Sequence, residues 1–466
     1  MSHTHVAGSI HADVASAAPA WLRLPDDVNT LLPELWSKNV AKDGNGELTI
    51  GGLTVSQIAD EVGTAAYVLD EDDLRQRARD YASAFDGWGV YYAGKSLLCK
   101  AVARWVTEEG LGLDVCTGGE LAVALAAGVD PARIGLHGNN KSVEEITRAL
   151  EVGVGRIIVD SDDEITRLIE LSEQLDKHPR LMVRVTTGVE AHTHEYISTA
   201  HEDQKFGFSI AGGQAAAALR RIHDHPRLQL VGIHSHIGSQ IFDADGFEVA
   251  TRRTLRLHAA FAEETGVELP ELDLGGGFGI AYTSQDTPST PQQLAEALNK
   301  IIAAECATLG VAVPHLSIEP GRSISGPSAF ALYTVGTVKQ VLLDGGASRL
   351  YVAVDGGMSD NIRTALYAAE YSATLASRRS DAGPALSRVV GKHCEGGDIL
   401  VRDEFLPSDI RPGDLIAVPG AGAYSRSMAS NYNHVPRPPM VSVRDGRIST
   451  LIRRESIDDL LALDVG

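Results

Sequence analysis

Lys95 stands at the end of a short apolar segment, in the run Tyr-Tyr-Ala-Gly-Lys. A lysine amine at the end of a buried strand could form an imine with a carbonyl compound. Most lysines of a folded protein are simply solvated, so this residue alone indicates no particular chemistry. Its meaning depends on which other groups the fold brings beside it.

Two histidines, His234 and His236, lie in the run His-Ser-His-Ile-Gly-Ser. Residues with this spacing share one face of a β-strand. Three interpretations are open from the residues alone: the pair ligates a metal, His236 stacks on an aromatic cofactor while Ser239 binds a phosphate, or both histidines are structural. The neighbouring motifs must decide among them.

Glycine and acidic motifs follow later in the chain. Gly275, Gly276 and Gly277 open a Gly-Gly-Gly-Phe-Gly run, and successive glycines let backbone N–H groups approach an anion such as phosphate. Glu319 begins the run Glu-Pro-Gly-Arg. A phosphate cradle beside a lysine, an imidazole and an acid is consistent with a pyridoxal phosphate pocket, in which Glu319 would pair with the pyridinium nitrogen.

All these motifs follow apolar runs that alternate with amphipathic segments. Eight such runs predict eight parallel strands joined by helices, which is typical of a closed (β/α)₈ TIM-like barrel. The motifs would then meet at the carboxyl ends of the strands, where barrels place active sites and often bind phosphate after strands seven and eight. The predicted strands are Val90–Ala93, Gly112–Cys116, Ile134–His137, Ile157–Asp160, Leu181–Val185, Leu228–His236, Leu272–Leu274 and Leu316–Glu319. The predicted helices include Lys100–Glu109, Gly119–Ala127, Val143–Val152, Asp163–Leu175 and Pro291–Leu309.

The rest of the chain has a different pattern. After residue 330, β-branched runs are punctuated by glycine, proline and aspartate, which predicts a mostly antiparallel β domain. We expect a barrel over residues 65–330 and a β domain over 331–466 that also takes up residues 46–64. Residues 1–45 lack periodicity and are predicted to be a loosely held extension.

The composition excludes several classes of protein. A formal net charge of −21 argues against a nucleic-acid partner. No apolar run approaches the roughly 20 residues that span a bilayer, and no secretory signal pattern opens the chain, so we expect a cytoplasmic protein. The cysteines are too widely spaced to suggest a disulfide framework or a zinc site, and they are Cys99, Cys116, Cys306 and Cys394.

Taken together, the motifs resemble those of the fold-type III pyridoxal-phosphate-dependent decarboxylases, with their alanine racemase-like fold. The match runs from about residue 60 to the C-terminus and is closest to the diaminopimelate branch. It implies that Lys95 holds the cofactor as an imine, His236 stacks on its ring and Glu319 contacts the ring nitrogen. It further implies a phosphate site made by Ser239, Gly275, Gly276, Gly277, Glu319, Pro320, Gly321 and Arg322, with Tyr424 of the Gly-Ala-Tyr run near cofactor and substrate.

The same resemblance suggests a substrate. The run from Ser359 to Tyr367 is similar to the segment in which an arginine and a tyrosine, here Arg363 and Tyr367, grip a distal carboxylate. Arg322 would be a second arm on that carboxylate, and Glu395 would receive the distal ammonium. The implied reaction converts meso-2,6-diaminopimelate to L-lysine and carbon dioxide, the last step of lysine biosynthesis.

Cys394 precedes Glu395 in a Cys-Glu-Gly-Gly-Asp run that resembles the proton-donor motif of the family. In the family this loop reaches into the pocket of the partner subunit, so the resemblance implies a homodimer with active sites at the interface. Two motifs depart from the family pattern: Lys392-His393 stands where Gly-Pro usually precedes the Cys-Glu pair, and Ser96 follows the lysine where alanine is usual. Neither departure removes a reacting group.

Two alternatives remain at the level of sequence. A metal-dependent hydrolase also uses histidine pairs and a barrel lysine, but there the histidine pair comes first, whereas here the lysine does. A non-catalytic relative would be expected to lose the reactive groups, and Lys95 and Cys394 are both present. The histidine-rich stretch 187–207 is interpreted as a loop over the barrel mouth, and we predict no metal.

Overall fold

The structure is a computed structural model that describes residues 18–188, 205–343 and 346–466. Most of the histidine-rich stretch lies outside the described residues. The chain divides by its internal contacts into two compact units. The first, called the β unit here, comprises the described residues up to Leu74, Ile280–Thr287 and Ile324–Gly466; the second, the barrel unit, comprises Arg75–Gly279 and Pro288–Ser323.

The β unit begins with a small antiparallel sheet and one helix, which Thr54 and Gln57 cap reciprocally. Leu35 and Trp36, placed by sequence in a loosely held extension, are instead buried in the apolar core of this unit. Periodicity could not reveal them, because they come from a short 3₁₀ turn rather than from a helix face. The elements are β1 (Val40–Lys42), β2 (Leu48–Ile50), β3 (Leu53–Thr54), α1 (Val55–Val62) and β4 (Ala66–Asp70).

Eight parallel strands of the barrel unit close into a barrel, which confirms the predicted fold class and all eight predicted strand positions. Each strand pairs with its neighbour in chain order, and the last pairs with the first. The barrel strands are β5 (Gly89–Ala93), β6 (Gly112–Val115), β7 (Ile134–Leu136), β8 (Arg156–Val159), β9 (Arg180–Thr186), β11 (Gln229–Ser235), β12 (Glu271–Asp273) and β13 (His315–Ile318), and the short β10 (Phe208–Ser209) lies beside β9.

Helices connect these strands, as the amphipathic segments predicted. Reciprocal capping boxes start the helices at Ser142 and Thr290, and Gly153 and Gly310 end the same two helices in the left-handed conformation. The helices are α2 (Glu71–Ala84), α3 (Lys100–Glu108), α4 (Gly118–Ala126), α5 (Val143–Val152), α6 (Asp162–Leu175), α7 (Gln214–His223), α8 (Asp245–Thr265), α9 (Pro291–Leu309) and α10 (Arg322–Ser325). Within the described ranges, no helix is long and apolar enough to cross a membrane.

The remaining strands form the mostly antiparallel sheet of the β unit. Strand β4 pairs with strands of this sheet, although the sequence analysis placed residues 65–70 in the barrel. All five of its residues are buried. A barrel strand and a central strand of an open sheet are both apolar runs of this kind, so the sequence pattern does not distinguish them. The segment Leu48–Val62 belongs to this unit, but its two strands pair in the small sheet. The later elements are β14 (Ala329–Leu342), β15 (Ser348–Val354), α11 (Arg363–Tyr367), β16 (Thr374–Leu375), β17 (Pro384–Val390), β18 (Ile399–Pro407), β19 (Leu415–Pro419), β20 (Met440–Arg444), β21 (Arg447–Ile452) and α12 (Ile457–Leu461).

Candidate active site

A cavity of about 250 Å³ lies at the carboxyl ends of the barrel strands. Lys95, His236 and Glu319, which the sequence analysis assigned to one pocket, all line it. The two histidines of the His-Ser-His run open onto the same cavity, as their strand spacing predicted. The lining residues are Ala93, Gly94, Lys95, Asp114, Cys116, His137, Gly138, Asn139, Arg184, Phe206, His234, His236 and Glu319.

The loop that carries Lys95 is joined to the loop after the last barrel strand. The backbone N–H of Ala93 donates to the carbonyl of Pro320 at 3.1 Å. Gly321 packs so tightly that a Cβ there would lie 2.9 Å from the Ala93 Cβ and 3.1 Å from Ser96 Oγ. The Ser96 hydroxyl is buried and donates to the Ala93 carbonyl at 2.9 Å, so serine is accommodated where the family pattern has alanine.

The glycine turn is in turn joined to Glu319 and His236. The backbone N–H of Glu319 donates to the Gly275 carbonyl at 2.9 Å, and that of Gly276 donates to His236 Nδ1 at 3.3 Å. A Cβ at Gly276 would lie 2.3 Å from the Glu319 carbonyl oxygen, and Gly275 has a φ of +70°. Glycine is therefore required at both positions. These contacts place the lysine loop, the acid and the glycine turn in one connected arrangement.

A buried ion pair supports the turn from inside the barrel. Asp273 Oδ1 accepts the Gly275 N–H at 2.7 Å, while its Oδ2 lies 2.6 Å from Arg156 Nη2 and accepts from Ser317 Oγ at 2.7 Å. Burial opposes ionisation of Asp273, but the Arg156 guanidinium outweighs it and lowers the pKa of this carboxyl. The neighbouring Asp114 lies farther from Arg156, and burial raises its pKa to about 7.

Glu319 has an acceptor atom that faces the cavity without a hydrogen bond. Its Oε1 is buried and lies 2.9 Å from His234 Nε2 and 3.3 Å from His137 Nε2, yet none of the three atoms forms a hydrogen bond within the described residues. A carboxylate in this state is suited to accept a hydrogen bond from a protonated ring nitrogen. The same three groups lie close enough to ligate a metal ion, so the prediction of no metal stays a prediction.

His236 is arranged as a neutral ring. Burial lowers its pKa well below the ordinary value, and the cationic groups of Lys95 and Arg184 lower it further. A neutral imidazole can stack on an aromatic ring without bringing a second positive charge beside the lysine. Arg184 itself stacks on the Phe206 ring, 4.3 Å from its centroid.

Ser239 and Arg322, both predicted for the phosphate end, are in contact. Arg322 Nη2 donates to Ser239 Oγ at 2.8 Å, and the guanidinium is buried. The guanidinium and the hydroxyl are groups that can donate to an anion, whereas the N–H groups of Gly275 and Gly276 already donate to Asp273 and His236. An amine, an acceptor for a ring nitrogen and an anion cradle are the groups that pyridoxal phosphate requires, so the residues present fit this cofactor.

Arg363 lies in the β unit inside a cage of tyrosines. Its Nε donates to the Tyr371 hydroxyl at 2.9 Å, and its guanidinium carbon lies 5.5–5.7 Å from the ring centroids of Tyr282, Tyr367 and Tyr424. The side chain is only 4% exposed and forms no salt bridge with any carboxylate of the described residues. Burial alone would lower the pKa of Arg363, but the surrounding tyrosines raise it, so the cation is retained.

Cys394 and Glu395 lie on the surface of the single chain. Glu395 Oε1 accepts the Gly397 N–H at a long 3.4 Å. Both residues belong to the β unit, as do Arg363, Tyr367 and Tyr424, whereas Lys95 belongs to the barrel unit. Most predicted cofactor residues thus lie in the barrel unit and most predicted substrate residues in the β unit. Arg322 and Tyr424 were predicted for both roles, and they lie in the barrel unit and the β unit, respectively.

The sequence analysis missed several residues that line the cavity or surround Arg363. Asp114, His137 and Arg184 line the cavity, and Tyr282 and Tyr371 contact Arg363. His137 is the last residue of a predicted barrel strand, so the positional rule that selected Lys95 could have found it, whereas Asp114 lies inside its strand. The two tyrosines carried no such signal, because only the folded chain brings them to Arg363.

Three comparisons with known proteins indicate the same family. Residues 71–326 match the family model described as the pyridoxal-binding domain of the pyridoxal-dependent decarboxylases. The chain is 54% identical over 440 residues to diaminopimelate decarboxylase of Mycobacterium tuberculosis, with 93% of this chain and 98% of that protein covered. It is 50% identical to the enzyme of Mycobacterium leprae, covering 99% and 100%.

A solved structure has the same fold. Diaminopimelate decarboxylase from M. jannaschii, in co-complex with L-lysine, superimposes with a TM-score of 0.85 at 30% identity and covers 92% of this chain and 98% of its own. These matches confirm the predicted family, its pyridoxal cofactor and its decarboxylase class. The chain belongs to the diaminopimelate decarboxylase family of the pyridoxal-dependent decarboxylases.

Proposed function

We propose that this chain decarboxylates meso-2,6-diaminopimelate to L-lysine and carbon dioxide, with pyridoxal phosphate held in the barrel cavity. Family membership supports the reaction. The observation that carries the choice of substrate is the Arg363 guanidinium, a buried cation with four tyrosines around it and no acid partner among the described residues. A buried charge without a counter-ion is strongly disfavoured, so the site calls for an anionic ligand.

The barrel residues would each have one task. Lys95 binds the cofactor through its amine, His236 covers one face of the ring, and Glu319 keeps a proton on the ring nitrogen. The remaining phosphate contacts come from Ser239, Gly275, Gly276, Gly277, Pro320, Gly321 and Arg322. When bound, the cofactor accepts the electron pair released as the α-carboxylate leaves.

The residues of the β unit would select the substrate and supply the final proton. Arg363 and Tyr367 hold the distal carboxylate of the substrate, with Arg322 as a second arm and Glu395 on the distal ammonium. A guanidinium matches a carboxylate and repels the distal ammonium of ornithine, which lacks that carboxylate. Cys394 then delivers a proton to the α-carbon, and Tyr424 lies near cofactor and substrate.

A homodimer is part of this proposal. Cys394 and Glu395 are exposed in the single chain, which is the state expected of a loop that completes the pocket of a partner subunit. A cytoplasmic location likewise stays a prediction.

The test is direct. Purified protein loaded with pyridoxal phosphate is incubated in turn with meso-diaminopimelate, ornithine and arginine, and lysine and carbon dioxide are measured. We expect carbon dioxide, together with lysine, from the first substrate only, and loss of both the visible cofactor absorbance and the products in Lys95→Ala. A colourless wild-type protein that retains zinc after purification would contradict the assignment.

A further inference from the structure

His393 occupies a position that the proposed chemistry does not use. It immediately precedes Cys394, where the resemblance to the family leads one to expect proline. The side chain is buried, with Nε2 2.8 Å from Ser359 Oγ and Nδ1 3.1 Å from Asn433 Oδ1. Both ring nitrogens of this histidine are therefore engaged by residues far away in the chain.

These contacts join three segments of the β unit. Ser359 begins the arginine segment (359–367), His393 lies in the cysteine segment (391–398), and Asn433 ends the tyrosine segment (424–433). The outer two segments also meet directly, since the Ser430 N–H donates to the Ser359 carbonyl at 3.0 Å. The His393 ring further packs against Tyr432, with 5.2 Å between centroids. Each segment carries a predicted substrate group.

The backbone of His393 adds a contact that proline could not make. Its N–H donates to Asp398 Oδ2 at 2.7 Å, and Oδ1 of the same carboxylate accepts the Met358 N–H at 2.5 Å. Asp398 thus joins the cysteine segment to the residue before the arginine segment. The Lys392 N–H donates to the Gly356 carbonyl at 3.0 Å and strengthens the same connection.

The hydrogen-bond partners of the His393 ring determine which of its nitrogens carries a proton. Asn433 Oδ1 can only accept, so His393 Nδ1 carries a proton. In a neutral ring, Nε2 then accepts from the Ser359 hydroxyl. That hydroxyl has one alternative acceptor, Asp360 Oδ1, at a longer 3.2 Å. A single imidazole thus bridges a donor and an acceptor from two different segments, which no aliphatic or phenyl side chain could do.

We propose that His393 is a positioning residue for the distal end of the substrate, because its two hydrogen bonds fix the arginine, cysteine and tyrosine segments in one arrangement. The expected effect of His393 on substrate binding rests on the proposed function. The connection between the segments is a property of the protein itself and can be tested without substrate.

His393→Phe separates these hydrogen bonds from simple packing, because phenylalanine keeps a ring against Tyr432 but makes neither bond. Hydrogen–deuterium exchange of the variant should rise in all three segments together and stay unchanged in the barrel unit. In steady-state assays, KM for meso-diaminopimelate should rise at least about tenfold, while Kd for pyridoxal phosphate changes less than about twofold. A general loss of structure would instead weaken both.

Three further variants separate the His393–Ser359 bond from other effects. Ser359→Ala deletes one end of the bridge with little change in volume, and the double variant with His393→Phe should be no worse in KM than His393→Phe alone, since both remove the same bond. Ser359→Ala by itself also tests the proposal if His393→Phe folds poorly. His434→Ala, at an exposed histidine nearby, is the matched control and should leave exchange and KM unchanged.

The possible results separate the two proposals. A wild-type protein that makes no lysine overturns the proposed function, and the exchange experiment still decides whether His393 joins the segments. Increased exchange confined to the cysteine segment, or unchanged KM in an active His393→Phe variant, overturns the positioning role. Additive effects of Ser359→Ala and His393→Phe on KM also count against it.

Discussion

The carboxylate of Asp273 joins the barrel interior to the glycine turn: one oxygen pairs with Arg156 Nη2 at 2.6 Å, and the other accepts the Gly275 N–H at 2.7 Å. Both side chains of the ion pair are buried. Removing one partner of such a pair leaves an uncompensated charge in the core. The glycine turn, the predicted anion cradle, is therefore supported by an interaction that the sequence motif does not contain.

Asp273→Leu should destabilise the protein strongly, because it leaves the Arg156 guanidinium buried without its partner. We expect a loss of about 3–5 kcal/mol in the free energy of unfolding, measured by urea titration. Glu271→Gln is the matched control on the same strand. Its partner Arg180 is half exposed, so this substitution should cost no more than about 1 kcal/mol. Equal losses from both variants would show that the buried pair has no special role.

Asp114 gives the folded protein a distinctive pH dependence. Burial raises the pKa of this carboxyl to about 7, above its unfolded value, so the folded state favours the protonated form. Its contribution to stability is complete below pH 4 and is lost as the pH rises towards 7. Asp114→Asn stays neutral throughout. Its free energy of unfolding relative to that of the wild type should therefore rise between pH 4 and pH 8, by at most about 4 kcal/mol.

The measurement is urea unfolding of the cofactor-free protein at several pH values. The informative quantity is the difference between variant and wild type at each pH, because other groups titrate in both proteins alike. A difference that stays constant from pH 4 to pH 8 would mean that Asp114 is ionised in the fold at an ordinary pKa.

The four thiols should differ in reactivity. Cys394 is exposed, Cys99 and Cys306 are buried, and burial raises the pKa of Cys116 in the cavity to about 12. Because the thiolate is the nucleophile, iodoacetamide at pH 8 should modify Cys394 first. Mass spectrometry of the digested protein would locate the label.

Modification of Cys394 should also remove activity if it is the proton donor. Cys394→Ala is expected to lower kcat by about 100-fold or more, whereas Cys306→Ala, at a thiol outside the cavity, should retain activity. Full activity after complete and selective alkylation of Cys394 would exclude it as the donor.

The sequence predicted the barrel well because each strand is a short apolar run with a polar residue at its carboxyl end. Lys95 and Glu319 were found by this rule, and both line the cavity. Strand β4 was misplaced, because a run buried on both faces does not reveal which sheet it joins. Local pattern determines the element, whereas its partners depend on the whole fold.

The surroundings of the predicted residues were largely beyond sequence reasoning. Arg363 was selected by its motif, but Tyr371, which bonds it, comes from outside that motif, and Tyr282 comes from a segment some 80 residues earlier. The role of His393 was likewise hidden, because its partners Ser359 and Asn433 are each more than 30 residues away. Contacts between distant segments need coordinates.

Arg363 provides the sharpest test of substrate choice. Its guanidinium is buried and has no acid partner among the described residues, so Arg363→Ala should remove the main attraction for a distal carboxylate. We expect KM for meso-diaminopimelate to rise by about 100-fold, with Kd for pyridoxal phosphate changed less than about twofold. Steady-state kinetics and cofactor titration give the two numbers.

Arg363→Lys is the matched variant, because it keeps the positive charge but loses the two-pronged geometry of the guanidinium. It should fall between wild type and Arg363→Ala in KM, since a lysine attracts a carboxylate without binding it bidentately. If Arg363 instead only fills the tyrosine cage, both variants should lower stability and cofactor affinity together and leave the ratio of meso-diaminopimelate to ornithine turnover unchanged. A shift of that ratio towards ornithine in Arg363→Ala is the outcome that distinguishes recognition from packing.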